Sequence, residues 1–324
     1  MSYKIAITGA SGFIGTNLLQ YFIDRGYDVI NIDFKRPRNN AHFKYWLDVD
    51  ILDEKSLERT VDDFCPDYMV HLAARTDLEG KVLNDYEANT TGVKNILNAV
   101  KKCESVKKVL ITSSMLVCKA GYQPKNQFDY CPVTKYGESK VITERNVWND
   151  QPACDWAILR PTSIWGPWFG IPYRNFFDMI ISRRYFHIGD RSCTKTYGYV
   201  GNTVYQIERL LFTSTTDIEN KIFYLGDSPP SNIESWADEI AFELNYRIMR
   251  LPYYLIKMAA LGGDVLGFLH IRFPMTSFRL KNMTTDNVID LNNVNVIAPT
   301  PPYSRIDGVK KTIEWLRNID KEGI

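Results

Sequence analysis

The chain lacks an excess of charge of either sign. Its 39 basic side chains meet 38 acidic ones, a net of +1 over 324 residues. Such a balance sets up no long-range field for nucleic acid or an anionic membrane. Cysteine is scarce and scattered. The six residues, at 65, 103, 118, 131, 154 and 193, include no CxxC pair. They read as free thiols in a reducing compartment, which points to the cytoplasm, and they form no metal cluster. No signal peptide is expected before the first strand, which starts by Tyr3. No long apolar run is free of charge. The greasiest stretch, Leu251 to Phe273, carries Lys257, Asp264, His270 and Arg272, with glycines at 262, 263 and 267. It is a poor spanning helix, so stable membrane insertion is not expected. It reads as a buried or partner-facing helix, with shallow membrane contact as the alternative. Internal repeats and low-complexity segments are absent too.

What is present starts at once. Lys4 to Gly15 reads KIAITGASGFIG. Ile5 to Thr8 has strand composition, and Gly9, Gly12 and Gly15 follow at a spacing of three. Then comes a helical pattern with Phe13, Ile14, Leu18, Leu19 and Phe22 on one side. Strand, glycine turn and helix form half of a nucleotide-binding unit. The first glycine permits the tight turn, the second lets the backbone approach a pyrophosphate, and the third lets helix and strand pack closely. The helix N-terminus offers free N–H groups to phosphate.

Tyr27 to Asp33 reads as a second strand ending in an acid, 24 residues after Gly9. There a carboxylate meets the adenosine ribose and repels a 2′-phosphate, which favours NAD over NADP. Lys35 and Arg36 keep the phosphorylated cofactor open, and Asp33 also reads as a plain turn acid. Helices are predicted over Asp53–Phe64, Asn84–Lys102 and Thr134–Trp148, and strands over Tyr68–Leu72, Lys108–Thr112 and Trp156–Leu159. This alternation predicts an α/β fold with a doubly wound parallel sheet, a Rossmann sheet, over residues 1–165, with strands recurring near 195–205. Residues 166–324 read as a smaller mixed α/β lobe for substrate. Its predicted helices are Arg174–Arg183, Val200–Thr213, Ser231–Leu244, Tyr253–Leu269 and Ser304–Ile319, with short strands near Tyr185, Lys221–Leu225 and Val288.

One constellation suggests chemistry. Tyr136 and Lys140 stand four apart on a predicted helix and share a face. Ser113 and Ser114 end the strand beside it. Removing hydride from a carbinol also requires removal of the O–H proton. A tyrosine does this when a nearby ammonium and an oxidised nicotinamide favour its phenolate. The serine hydroxyl then orients the substrate oxygen.

With these motifs the chain resembles the extended short-chain dehydrogenase/reductase family, in particular its nucleotide-sugar epimerase/dehydratase branch. TGASGFIG (8–15) resembles the family's TGxxGxxG turn, which implies cofactor contacts from Gly9, Ser11, Gly12, Phe13, Ile14 and Gly15. Asp33 matches its ribose acid, and Asp48 with Val49 its pair beside adenine. Leu72, Ala73 and Ala74 match the HLAA segment lining the cofactor, and Asn89 the helix asparagine of that branch. Ser113, Ser114 and Val117 resemble SSxxVYG, with Ser114 aligned to the catalytic hydroxyl. YGESK (136–140) is similar to YxxSK, so Tyr136 and Lys140 are implied both in catalysis and in holding the cofactor. LRPTSIWGP (159–167) resembles LRxxNVYGP, which puts Pro161 to Ser163 near the nicotinamide.

The departures narrow the activity. The dehydratases carry Asp-Glu after the catalytic hydroxyl, where this chain has Met115 and Leu116, so 4,6-dehydration is not implied. The 3,5-epimerase/reductases carry a cysteine there, and Cys118 lies three residues too late. Ser163 stands for a diphosphate-contacting Asn. Lys195 stands for an Arg that grips a phosphate, without its bidentate geometry. Asn175 and Arg279 are further candidates for the substrate site. The resemblance thus implies an NAD-dependent nucleotide-sugar C4 epimerase, paired as a homodimer and serving polysaccharide precursor synthesis. The alternatives are an NAD(P)-dependent dehydrogenase of a sugar nucleotide or of a hydrophobic alcohol, like the hydroxysteroid dehydrogenases, and a non-catalytic NAD-binding protein.

Overall fold

The computed structural model describes residues 2–171, 173–215, 221–268 and 275–322. Two compact units emerge. The first comprises Met1–Phe169, Gly198–Gly226 and Asp290–Pro302, and the second the remaining stretches, Gly170–Tyr197, Asp227–Ile289 and Tyr303–Ile324.

The first unit is built on a seven-stranded sheet. In chain order the strands are β1 (Lys4–Thr8), β2 (Asp28–Ile32), β3 (Trp46–Leu47), β4 (Tyr68–His71), β5 (Lys108–Thr112), β6 (Asp155–Pro161) and β7 (Ile222–Leu225). Their spatial order is β7-β6-β5-β4-β1-β2-β3, and every pairing is parallel. Parallel strands buried on both faces need continuous apolar runs. Ile5, Ala6 and Ile7 of β1, Val109 to Ile111 of β5 and Ala157 to Leu159 of β6 are all fully buried. Burying each Ile or Leu among them stabilises the fold by about 1.5–3 kcal/mol.

The crossovers are helices: α1 (Phe13–Ile23), α2 (Glu54–Phe64), α3 (Glu87–Lys102), α4 (Lys135–Asp150) and α5 (Val200–Phe212). Helix α3 packs on both α2 and α4, while α1 packs on α5. Asp53 starts α2 by accepting the N–H of Ser56, and Thr134 starts α4 by accepting that of Gly137.

Some expectations need correction. The helix expected over Asn84–Lys102 is a 3-10 turn, Leu83–Tyr86, followed by α3. The turn forms where Asp85 accepts the N–H groups of Lys81 and Val82. No strand forms at Val288; its neighbour Asn287 makes one isolated bridge to Lys195. The strand at 222–225 belongs to the main sheet, paired with β6. The strands expected near 195–205 form as 194–195 and 197–199, outside the main sheet; short strands at 163–165, 231–232 and 249–251 were not foreseen, nor were helices at Ser277–Met283 and Asn292–Ile297. Each is too short to show a period. The second unit holds helices Tyr173–Ile181, Ile233–Glu243, Tyr253–Phe268, Ser277–Met283 and Arg305–Glu322. Of the greasy run 251–273, residues 269–273 lie outside the described residues, and with them His270 and Arg272. No described helix is long and apolar enough to cross a membrane. All six cysteines are free.

Candidate active site

A doubly wound sheet leaves a crevice where its strand order reverses, at the carboxyl ends of β1 and β4. The glycine turn enters it. Gly9 has φ +75°, and a Cβ built there would lie 2.5 Å from the backbone N of Ala73. A Cβ on Gly15 would lie 2.3 Å from the carbonyl oxygen of Gly9. These two glycines are therefore set by protein against protein. Gly12 differs, since its added Cβ would meet only the Gly9 carbonyl, at 3.1 Å. It begins α1 with no side-chain cap, so the first-turn N–H groups of Phe13, Ile14 and Gly15 have no intrahelical acceptor. This is an anion cradle, and it fits a pyrophosphate. Gly9→Ala should destabilise the apo chain by about 1–3 kcal/mol. Gly12→Ala should leave apo melting almost unchanged and shrink the melting shift that added NAD produces. Thermal melts with and without NAD check both.

The second strand closes the turn. Asp33 is almost buried, and its carboxylate accepts the N–H groups of Ser11 at 3.1 Å and Lys35 at 2.9 Å. Burial raises its pKa, against the lowering effect of those two bonds. Asn31, which the motif reading missed, accepts the N–H of Ala10 and donates to the Ser11 hydroxyl. Asp48 is exposed, Val49 is buried beside it, and Leu72, Ala73 and Ala74 are half-buried.

Helix α4 brings the chemistry to the sheet. Gly137 lets it seat hard against the turn after β5; a Cβ there would lie 2.4 Å from the Leu116 carbonyl oxygen. Tyr136 is nearly buried and its ring lies 6.0 Å from that of Tyr86. Lys140 is 1% exposed, and its Nζ donates to the carbonyl of Thr112 at 2.9 Å. Burial lowers its pKa to about 8, against a pull upward from Glu144. The Oγ of Ser114 accepts the Leu116 N–H at 3.1 Å. Ser113 is committed elsewhere, donating to Glu144 at 2.6 Å.

Further side chains support this arrangement, among them Asn89, which the motif reading sets at the cofactor. Asn89 is fully buried, and its side-chain amide is engaged by protein: it donates to the Arg75 carbonyl and the Ser139 hydroxyl and accepts the Arg75 N–H. Ser139 in turn donates to the Tyr136 carbonyl at 2.7 Å. Asn89 thus clamps α4 to the loop after β4. His71 is buried against Lys140; its Nδ1 bonds the Thr8 hydroxyl at 2.7 Å. Burial, with help from the Lys140 charge, pushes its pKa down to about 3, so it adds no second positive charge beside Lys140. Glu144 and Arg160 form a buried ion pair at 2.7 Å. Glu144 lies one helical turn past Lys140, and Arg160 is the arginine of the LRPTSIWGP segment; both were usable signals, but neither showed the pairing.

Pro161 ends β6, and Ser163 begins the short strand after it, both half-buried in the first unit. The other substrate candidates lie in the second unit. Asn175 is exposed on Tyr173–Ile181, and Arg279 is exposed on Ser277–Met283. Lys195 donates to the carbonyl of Asn282 at 2.6 Å, at the end of the helix that carries Arg279.

The N-acetyl-alpha-D-glucosaminyl-diphospho-ditrans,octacis-undecaprenol 4-epimerase of Escherichia coli O157:H7 is 28% identical over 97% of this chain and 96% of its own. A 3-beta-hydroxysteroid dehydrogenase of Mycolicibacterium neoaurum is 25% identical over 84% of this chain and 79% of its own. Among solved structures, UDP-glucuronic acid 4-epimerase from Bacillus cereus in complex with NAD superposes with a TM-score of 0.74, at 19% identity, covering 98% of this chain and 97% of that one. The sequence model of the NAD dependent epimerase/dehydratase family matches residues 5–216, the stretch that carries the glycine turn, Asp33, Ser114, Tyr136 and Lys140. This chain belongs to the NAD dependent epimerase/dehydratase family.

Proposed function

We propose that this protein is an NAD-dependent 4-epimerase of a sugar carried on a nucleotide diphosphate. One observation carries the reading: a buried ammonium, Lys140, is anchored on the Thr112 carbonyl one turn from Tyr136, with Met115 and Leu116 where water loss would need an acid and a base. Bound NAD supplies reversible hydride acceptance at its nicotinamide. The residues of the chain handle the proton. Tyr136 takes it from the substrate hydroxyl as a phenolate that Lys140 favours, and returns it when the ketone is reduced. Ser114 donates to the substrate oxygen and holds it for that transfer. The turn at 9–15 and Asp33 hold the cofactor, and Lys195, Asn175 and Arg279 supply charge and amide groups for the diphosphate sugar. The second unit serves the substrate. We read the chain as a cytoplasmic homodimer paired through α3 and α4, which analytical ultracentrifugation tests.

A second substrate class has support in the activity for which the E. coli relative is named: a sugar on a polyprenyl diphosphate, which shares the diphospho-sugar unit. The test is turnover against UDP-, GDP- and dTDP-sugars and a polyprenyl-diphospho-sugar, with NAD content measured on the protein as isolated. Interconversion of C4 epimers with no net change in nicotinamide absorbance is the expected result. Stoichiometric consumption of added cofactor would instead identify a dehydrogenase.

A further inference from the structure

The helix Tyr253–Phe268 is apolar on two opposite sides. One side is explained: Ile256 and Ala260 pack in a small core with Ile188 and Leu280. Opposite them stand Tyr254, Met258, Leu261 and Val265, at successive spacings of four, three and four. They form one stripe, and they are 63%, 61%, 54% and 61% exposed. A surface helix ordinarily turns polar residues to water on that side, and a contiguous exposed apolar stripe marks an interaction surface. Phe278, on the helix packed alongside, is 75% exposed. The two helices carry two exposed lysines, Lys257 and Lys281. Their one acid, Asp264, accepts the Ser277 N–H at 3.0 Å.

We propose that this face docks on the surface of an anionic lipid bilayer, the stripe sinking to the headgroup boundary and the cations meeting lipid phosphates. Charge decides between a bilayer and a second copy. An isologous contact would set Lys257 and Lys281 against their own copies, and the one acid on the two helices, Asp264, is already bonded to Ser277. The whole chain is near neutral, so the attraction is local to these two helices. The contact is peripheral, with one leaflet, and it does not depend on which sugar the first unit turns over.

Flotation of the full, NAD-loaded chain with phosphatidylglycerol vesicles and with phosphatidylcholine vesicles tests this. Binding is expected to phosphatidylglycerol, weakening as salt rises, and to be markedly weaker on phosphatidylcholine. The double variant Met258→Asp/Leu261→Asp should lower the bound fraction about tenfold. Lys257→Gln/Lys281→Gln, which keeps the stripe, should weaken binding about tenfold on phosphatidylglycerol. Both should retain wild-type melting, NAD content and turnover of a water-soluble nucleotide sugar. The proposal is overturned if the wild type ignores phosphatidylglycerol, or if neither variant changes binding. It is also overturned if the apolar variant converts a dimer to a monomer while vesicle binding is absent throughout.

Discussion

Tyr136→Phe should lower turnover by about 10²–10⁴-fold while leaving bound NAD in place, because it removes the one hydroxyl to which the proposed mechanism gives the proton, and little packing. Quench-flow turnover and the nicotinamide content of the purified variant check this. Unchanged turnover would end the proposed mechanism. The pH profile adds a second constraint. Lys140 titrates at about 8 in the folded chain, against an ordinary value of 10.5. Turnover should therefore fall as pH rises through about 8, where the ammonium that favours the phenolate is lost. Stability should move the other way. Between about pH 8 and 10.5 the unfolded chain binds the Lys140 proton and the folded chain does not, so this side chain makes folding more favourable as pH rises through that window. In Lys140→Met the turnover limb and this stability gain should vanish together. Urea melts at several pH values read the second.

Arg160→Met should cost about 3–5 kcal/mol of stability, measured by urea unfolding, because it strands the fully buried Glu144 carboxylate. The guanidinium does more than pair. It donates to Glu144 through Nε and NH2, to the Tyr224 hydroxyl at 2.9 Å and to the Gln127 carbonyl at 3.0 Å. Burial opposes its charge, and the hydrogen bonds to Glu144 more than offset that, holding its pKa above the ordinary value. The network thus ties α4 to β6, β7 and the loop before α4. Glu144→Gln should cost a similar amount, and Ser113→Ala about 1–3 kcal/mol, since the hydroxyl is a buried donor to a charged acceptor. Changing Glu144 and Arg160 together to Met should cost far less than the sum of the single changes. Additive losses would mean that the pair does not act as a unit.

The fold was legible because its signals are local. Buried parallel strands must be apolar without a break, so Lys4–Thr8 and Lys108–Thr112 stand out against amphipathic helices such as Glu54–Phe64. The strand at 222–225 was visible, but its place at the edge beside β6 was not, because pairing between distant strands leaves no periodic trace. Elements of two or three residues, such as 194–195 and 231–232, show no period at all. At the site, Gly9, Asp33, Ser114, Tyr136 and Lys140 were readable as motif positions. Their supports were not readable as such: His71, Ser139 and Arg160 fall within the motif segments, Asn31 outside them, and all four matter through what they touch.

By itself the sequence determined the glycine turn, the Tyr-Lys spacing and the order of strand and helix, because each depends on neighbours within one turn or one strand. Only the tertiary structure decided what engages each of the two adjacent serines. It gave Ser113 to Glu144 and left Ser114 at the turn, and it buried Lys140 deeply enough to bring its proton within reach of neutral pH. Those outcomes depend on desolvation and on partners more than fifteen residues away along the chain, which only the packed sheet brings together.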